Sequence, residues 1–374
     1  MASYFADNIT LVPARLPTVS EEEKNEFIRK FYSISPEEHK RIKDLDQHDA
    51  DGSTNDDWIE ARRLRFTGSA SGSFGLQNPY EYCAAYVDKK IHPQEMDARG
   101  KQYCKWGNDH EDDAEAAFEK KYIREQLYRK TRSHDEFLGY KISHLGLYVC
   151  KKPGYAMLGM SPDGILHSKW RSKETGKEYI VHELLEYKCP ATWEKKKGNP
   201  FIYPEELVPR AILPVKSRKE LGITHPPTEH GRSRIPVPAY YLSQVTYGMA
   251  LFNASGVKLE RAWFVVWEPD RVAVTCVPRD RVYGDWLLER GKHVWTEDFV
   301  PGYMKNQIRK ERAKERSQMR NPQTDDRDNE CADCCTDISA RFNGINLVSS
   351  KINRPRPRQH TAAPAFNGIV LTRS

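Results

Sequence analysis

Nowhere among the 374 residues do about 18 apolar residues run together, so no stretch has the length and apolarity of a membrane-spanning helix. The opening, MASYFADNITLVPARLP, lacks the basic-then-apolar layout of a secretory leader. Together these absences predict a soluble, intracellular chain, nuclear or cytoplasmic. There is no Gly-rich loop ending in Gly-Lys-Ser or Gly-Lys-Thr, which excludes the usual phosphate cradle of an ATPase or helicase. None of the 12 histidines forms a His-x-x-x-His pair on a helix, so His110, His144, His167 and His182 read as ordinary surface or core residues. No internal repeat is visible. Cysteine is sparse at eight residues and, without an export signal, reads as reduced thiol rather than a disulfide framework. Cys331, Cys334 and Cys335, with Cys83 or Cys104, imitate the count of a four-cysteine iron–sulfur site. Adjacent Cys334 and Cys335 are poor geometry for two separate ligands, and their surroundings are acidic and polar, so they read as thiols of a tail.

What is present is a chain 38% hydrophobic and 30% charged, enough apolar matter for a real core under a solvated surface. The net charge of +6 is modest but uneven: KNQIRKERAKERSQMR (305–320) holds seven Lys or Arg against two Glu, which fits either an anionic partner or a solvated helix. Residues 1–57 read as a helical extension and polar linker, with a capping box from Ser20 to Glu23 and Ser35-Pro36 opening a second helix. Residues 58–303 mix helices, at 108–122, 239–252 and 279–295, with strand-like runs at 140–150, 155–160, 164–170 and 179–189 and a hairpin over 262–277. That pattern predicts an α/β core on a mixed central sheet flanked by helices. Within it, 194–238 is a Pro-rich, basic insertion, and 304–374 reads as a basic, largely disordered tail.

HELLEYKCP (182–190) is a mostly apolar strand that carries Glu186 and Lys188 on one face. A solvated edge with an ion pair would account for that alone. Upstream, Asp163 sits in a Ser-Pro-Asp-Gly turn, and 164–188 reads as a hairpin turning at SKETGK, which returns Glu186 to the side of Asp163. Two carboxylates meeting at a strand end are costly unless a cation neutralises them, and Mg²⁺ takes oxygen ligands of this kind. Lys188 points to the same side, able to orient or deprotonate a water or to stabilise charge on a phosphate oxygen.

An Asp followed by Glu-x-Lys resembles the PD-(D/E)xK nuclease superfamily, more narrowly the lambda-exonuclease-type viral recombinase, or alkaline exonuclease, family. The likeness spans about residues 58–290. It implies a restriction-endonuclease-like fold and Mg²⁺-dependent hydrolysis of duplex DNA from its ends, 5′ to 3′, with Mn²⁺ able to substitute. By that likeness Asp163, Glu186 and the Tyr187 carbonyl hold the metal. Glu111, in WGNDHEDDAEAAFE, adds a further acid, and Gln244, in AYYLSQVTYGMALF near Tyr240 or Tyr241, joins the site. Arg62 and Ser69 of WIEARRLRFTGS, with Ser161, match a pocket for a 5′-terminal phosphate. The likeness also implies DNA-end substrates, a ring-shaped homo-oligomer and a single-strand annealing partner. A structure-specific or nicking endonuclease, or a DNA-end-binding module without catalysis, are the alternatives. The 163–186 hairpin and the 194–238 insertion are longer than the compact phage pattern, which leaves oligomeric state and substrate geometry open.

Overall fold

The computed structural model describes residues 18–48, 54–127, 135–191, 237–269 and 271–320. In chain order the helices are α1 (Glu21–Arg29), α2 (Pro36–Lys43), α3 (Asp56–Arg63), α4 (Ser71–Phe74), α5 (Cys83–Ile91), α6 (Ala98–Asp109), α7 (Glu111–Phe118), α8 (Ala239–Ala254), α9 (Arg281–Val294) and α10 (Val300–Arg320). The strands are β1 (Phe66–Thr67), β2 (Glu136–Ser143), β3 (Tyr148–Val149), β4 (Leu158–Met160), β5 (Gly164–Arg171), β6 (Glu178–Lys188), β7 (Leu259–Glu268) and β8 (Arg271–Pro278). The chain divides between Met304 and Lys305 into two units, and the described part of the second is 305–320. Among the described residues no helix is long and apolar enough to cross a membrane.

Five strands form a mixed sheet in the order β2-β5-β6-β7-β8. β2, β5 and β6 run antiparallel, β6 and β7 parallel, and β7 and β8 antiparallel. The parallel step needs a crossover, and α8 lies on it. β1, β4 and β3 make a second, three-stranded sheet. The β5–β6 hairpin turns at the expected residues: Gly176, at φ +70, takes the left-handed position, and its N–H donates to Ser172 O at 2.8 Å.

Both faces of the sheet are covered, which explains why the successive residues Leu184 and Leu185 of β6, on opposite faces, are both buried. Leu184 packs with Val245, Met249 and Phe264 on the α8 side, while Leu185 and Tyr187 pack with Ala114 and Phe118 of α7 on the other. Cys189 joins the second group.

Local signals held where chemistry within a few residues decides. Ser20 and Glu23 form the capping box, and Ser35 caps α2 with Pro36 in its first turn. The strand expected over 140–150 is instead β2 and β3, which belong to different sheets. Gly146 between them donates to Lys43 O at 2.7 Å and lies so close to α2 that a Cβ would meet Leu45 O at 2.1 Å. The helix expected over 108–122 is broken at His110 (φ −116, ψ 8) and ends in a π-helical segment, Glu119–Leu127. The basic stretch 305–320 is helical rather than disordered, as its Lys, Arg, Glu, Gln and Ala content favours. Residues 194–236 of the insertion, the tail beyond Arg320 and Cys331, Cys334 and Cys335 lie outside the described residues.

Gly72 of α4 approaches the backbone of α8 closely. A Cβ on Gly72 would stand 2.9 Å from Tyr240 Cα and 2.7 Å from its Cβ, whereas Gly107, inside α6, has open space. Gly72→Ala should therefore cost about 1–3 kcal/mol by overpacking. Gly107→Ala should stabilise by about 0.5–1 kcal/mol through helix propensity. Urea unfolding of the two variants checks both signs.

Candidate active site

The antiparallel register pairs Gly164 with Leu185, so Asp163, one residue before β5, falls beside Glu186. The Tyr187 N–H donates to Asp163 Oδ2 at 2.5 Å. Glu186 is fully buried, and its Oε1 accepts from Gln244 Nε2 at 2.5 Å and from Lys188 Nζ. Its other oxygen, Oε2, is buried without a hydrogen-bond partner among the described residues. A buried carboxylate oxygen left in that state costs free energy unless something else engages it.

The electrostatics point the same way. Burial, then the charge of Asp163, pushes Glu186 up to about 8. Burial, then Asp163, pushes Glu111 at the head of α7 up to about 7. Burial raises Asp163 as well, against the opposing pull of Lys188 and the Tyr187 N–H. Burial works against the Lys188 ammonium, but Glu186 and Asp163 outweigh it and hold its pKa above the ordinary lysine value. Three carboxyls with one lysine and the His144 imidazole as their cationic neighbours leave a deficit of positive charge.

A divalent cation fits that deficit, since the donors are hard oxygens and Glu186 Oε2 is orphaned. Among the described residues no three His, Cys, Asp or Glu side chains form a ready-made ligand cluster. Glu111 feels the charge of Asp163 without being grouped with it as a ligand. An ion here would rest on Asp163 and Glu186, with backbone oxygen and water completing its shell, as Mg²⁺ tolerates.

On the chain leading into Asp163 sits the opposite imbalance. Arg62 donates from Nη1 to Ser161 Oγ at 2.9 Å and from Nη2 to Thr67 Oγ1 at 3.3 Å, and Thr67 Oγ1 lies 3.4 Å from Ser69 Oγ. The guanidinium stacks 4.2 Å over Trp58. Burial lowers Arg62 to about 10, and burial, then Arg62 and Arg63, lowers Lys90 to about 8. Lys90 Nζ donates to Arg62 O at 2.9 Å. Neither cation has a carboxylate partner among the described residues. Arg63 and Arg65 are structural: Arg63 pairs with Glu60, and Arg65 donates to Ala61 O and Ala156 O.

Sequence reasoning missed part of this. His144, set aside as ordinary, lies with Nδ1 3.0 Å from Asp163 O and Nε2 3.4 Å from Glu115 Oε1. Both ring nitrogens face acceptors, which favours the imidazolium, and Glu115 raises its pKa. Glu115 also accepts from Tyr187 OH at 3.3 Å, so Asp163, Tyr187, Glu115 and His144 close a ring of hydrogen bonds. Thr67 was visible within a Thr-x-Ser turn; Lys90 gave no signal. His167 and His182 face each other across β5 and β6 at 2.7 Å, and His110 bonds Asp113 and stacks on Trp267, so these three keep their ordinary reading.

A mixed sheet that brings Asp163, just before β5, beside Glu186 and Lys188 of β6 has an arrangement that resembles that of PD-(D/E)xK proteins. The chain belongs to the family of the YqaJ-like viral recombinase domain, whose model matches residues 57–255. No protein of curated function matches it in sequence. Similar solved structures include LHK-Exo in complex with dAMP, at 15% identity and TM-score 0.39, covering 70% of this chain and 99% of that one. Another is the Shutoff and Exonuclease Protein from Kaposis Sarcoma Associated Herpesvirus, at 10% identity and TM-score 0.34, covering 65% of this chain and 69% of that one.

Because Glu186 and Glu111 are raised in the folded state, the fold binds their protons more tightly than the unfolded chain does. Metal-free stability should therefore fall as pH rises from the ordinary glutamate value of 4.5 towards about 8. Unfolding in EDTA should show a loss of about 2 kcal/mol or more across that window. Glu186→Gln should flatten most of the slope, and Mg²⁺ should restore more stability to the wild type at pH 8 than at pH 6.

Proposed function

We propose that this chain is a divalent-metal-dependent DNA exonuclease that degrades duplex DNA from its ends, 5′ to 3′, in recombination or genome processing. The observation that carries the reading is Asp163 held beside the fully buried Glu186, whose Oε2 is orphaned. In this reading Asp163, Glu186 and the Tyr187 carbonyl hold Mg²⁺ or Mn²⁺, and Glu111 serves directly or through water. When bound, the ion activates water and offsets charge on the scissile phosphate.

The chain's own residues do the rest. Gln244 holds Glu186 by its Oε1, leaving Oε2 for the ion. Lys188, held protonated by its two carboxylates, acts as a charged donor to a phosphate oxygen or to the attacking water rather than as the base. Arg62 and Lys90, with the hydroxyls of Ser161, Thr67 and Ser69, receive the 5′-terminal phosphate. Because Ser161 and Asp163 flank a single proline, the seat of the terminal phosphate is tied to the cleavage site by one short turn.

Asp163→Ala and Lys188→Ala should each lower the rate of nucleotide release by about 1000-fold or more while leaving the fold intact by circular dichroism. On linear duplex, a 5′-phosphate should accelerate degradation by about 10-fold or more over a 5′-hydroxyl, and Arg62→Ala should remove that preference. Equal rates on both ends, or efficient cutting of closed circles, would replace this reading with an endonuclease.

The basic helical stretch 305–320 adds a sequence-independent hold on the DNA backbone in this reading. Changing Arg309, Lys310, Arg312 and Lys314 to Gln should flatten the plot of log affinity against log salt by up to about 3 to 4, with cleavage at low salt retained.

A further inference from the structure

The loop 75–82, between α4 and α5, holds an exposed aromatic in a costly backbone. Leu76 is the non-glycine among the described residues with positive φ, at +57°, and it is buried. A branched side chain persists there only where its surroundings over-determine it, and such positions gather at functional segments. The bracing is visible. Gln77 N and Asn78 N both donate to Gly72 O, at 2.7 and 2.9 Å. Asn78 Nδ2 donates to Ser73 Oγ at 3.1 Å, Ser73 Oγ to Glu81 Oε2 at 2.7 Å, and Tyr80 N to Asn78 Oδ1 at 3.0 Å. What this scaffold presents is Tyr80, 83% exposed. Exposing a phenol contributes nothing to the hydrophobic stabilisation of the fold.

Tyr80 does not stand alone. Its ring meets Tyr240 edge-on, with centroids 5.9 Å apart and planes at 77°. Tyr240 meets Tyr241 at 4.2 Å, and Tyr241 meets Phe264 at 5.4 Å. Phe264 is the register partner of Glu186, and Lys188 Nζ lies 5.3 Å from the Tyr241 ring centroid. Close packing of Gly72 on Tyr240 Cα fixes where the row sits. A row of aromatic rings thus leads from solvent to the lysine of the acid site, beginning on the loop that follows α4.

We propose that Tyr80, at the exposed end of this row, is a stacking surface for an unpaired nucleobase at a DNA end, an inference that rests on the nuclease reading of the adjoining site. Every base offers a π-face, so stacking on tyrosine is tolerant of sequence, and a lysine at the inner end suits the phosphate attached to the stacked base. The frayed terminal base of a blunt duplex and a base in a 3′ overhang carry the same chemistry, and the probe below separates them.

The experiment uses the full chain with Ca²⁺ replacing Mg²⁺, and duplexes carrying 2-aminopurine either as the 5′-terminal base of a blunt end or within a 3′ overhang. Binding should quench 2-aminopurine in at least one duplex, and the quenched duplex identifies the base that is stacked. Tyr80→Ala should abolish the quench and weaken end binding about 10-fold, while Tyr80→Phe and Tyr80→Trp keep both. Unchanged quench and affinity in Tyr80→Ala, or no quench with the wild type, overturns the proposal. Hydrolysis with Mg²⁺ is scored separately. A protein that quenches through Tyr80 without cutting keeps the stacking surface and loses the nuclease reading; one that cuts without a Tyr80-dependent signal loses only the stacking surface.

Discussion

A slip of one residue between β5 and β6 would turn every side chain of β6 to the opposite face. Glu186 and Lys188 would then point at the apolar packing around Phe118, and Leu185 and Tyr187 at the helix that carries Gln244. What holds the register is burial on both faces at once, Leu184 against the α8 side and Leu185 against the α7 side, together with the tight turn at Gly176. Only in that register does Asp163 come beside Glu186 and take the Tyr187 N–H. Gln244, Lys188 and His144 each reach a group whose position is set by this pairing, so the site inherits its geometry from the packing of leucines.

That packing also makes the chemistry expensive. Placing one buried and two half-buried carboxyls side by side raises their proton affinity, which works against the folded state at neutral pH. The aromatic core around Phe66, Phe74, Tyr247 and Trp295 lies on the α8 side of the same sheet and offsets this cost through apolar burial. A solvated acid pair would cost less and would hold a cation less tightly.

The acid pair, its lysine and the hairpin that joins them were legible because each rests on chemistry within a few residues: a turn glycine, an alternating strand, a Ser-Pro-Asp-Gly corner. The arginine pocket was legible only through resemblance, since three neighbouring arginines look alike until packing assigns Arg63 to Glu60 and Arg65 to backbone carbonyls. His144 and Glu115 were not legible. His144 reaches Asp163 because Ser143 pairs with Ile165 across β2 and β5, and Glu115 reaches Tyr187 because α7 packs on the sheet. Neither contact leaves a trace in local spacing. The break between α6 and α7 and the split of 140–150 failed for the same reason, the latter at Gly146, where a contact distant in sequence overrides strand propensity.

Two imbalances of charge lie at either end of the turn from Ser161 to Asp163. On one side Arg62 and Lys90 are half-buried without a carboxylate partner among the described residues; on the other three carboxyls face Lys188 and His144. The simplest internal remedy would be to pair them with each other, and the fold does not do so. It commits Arg62 to Ser161 and Thr67 and commits Lys188 to Glu186. Neutral hydroxyls satisfy the geometry of the guanidinium without cancelling its charge, so the pocket keeps its attraction for an anion. Lys188 covers one oxygen of Glu186 and leaves the other bare, so the acid site keeps its attraction for a cation. The turn from Ser161 to Asp163 thus separates two unneutralised charges of opposite sign that the packing keeps apart.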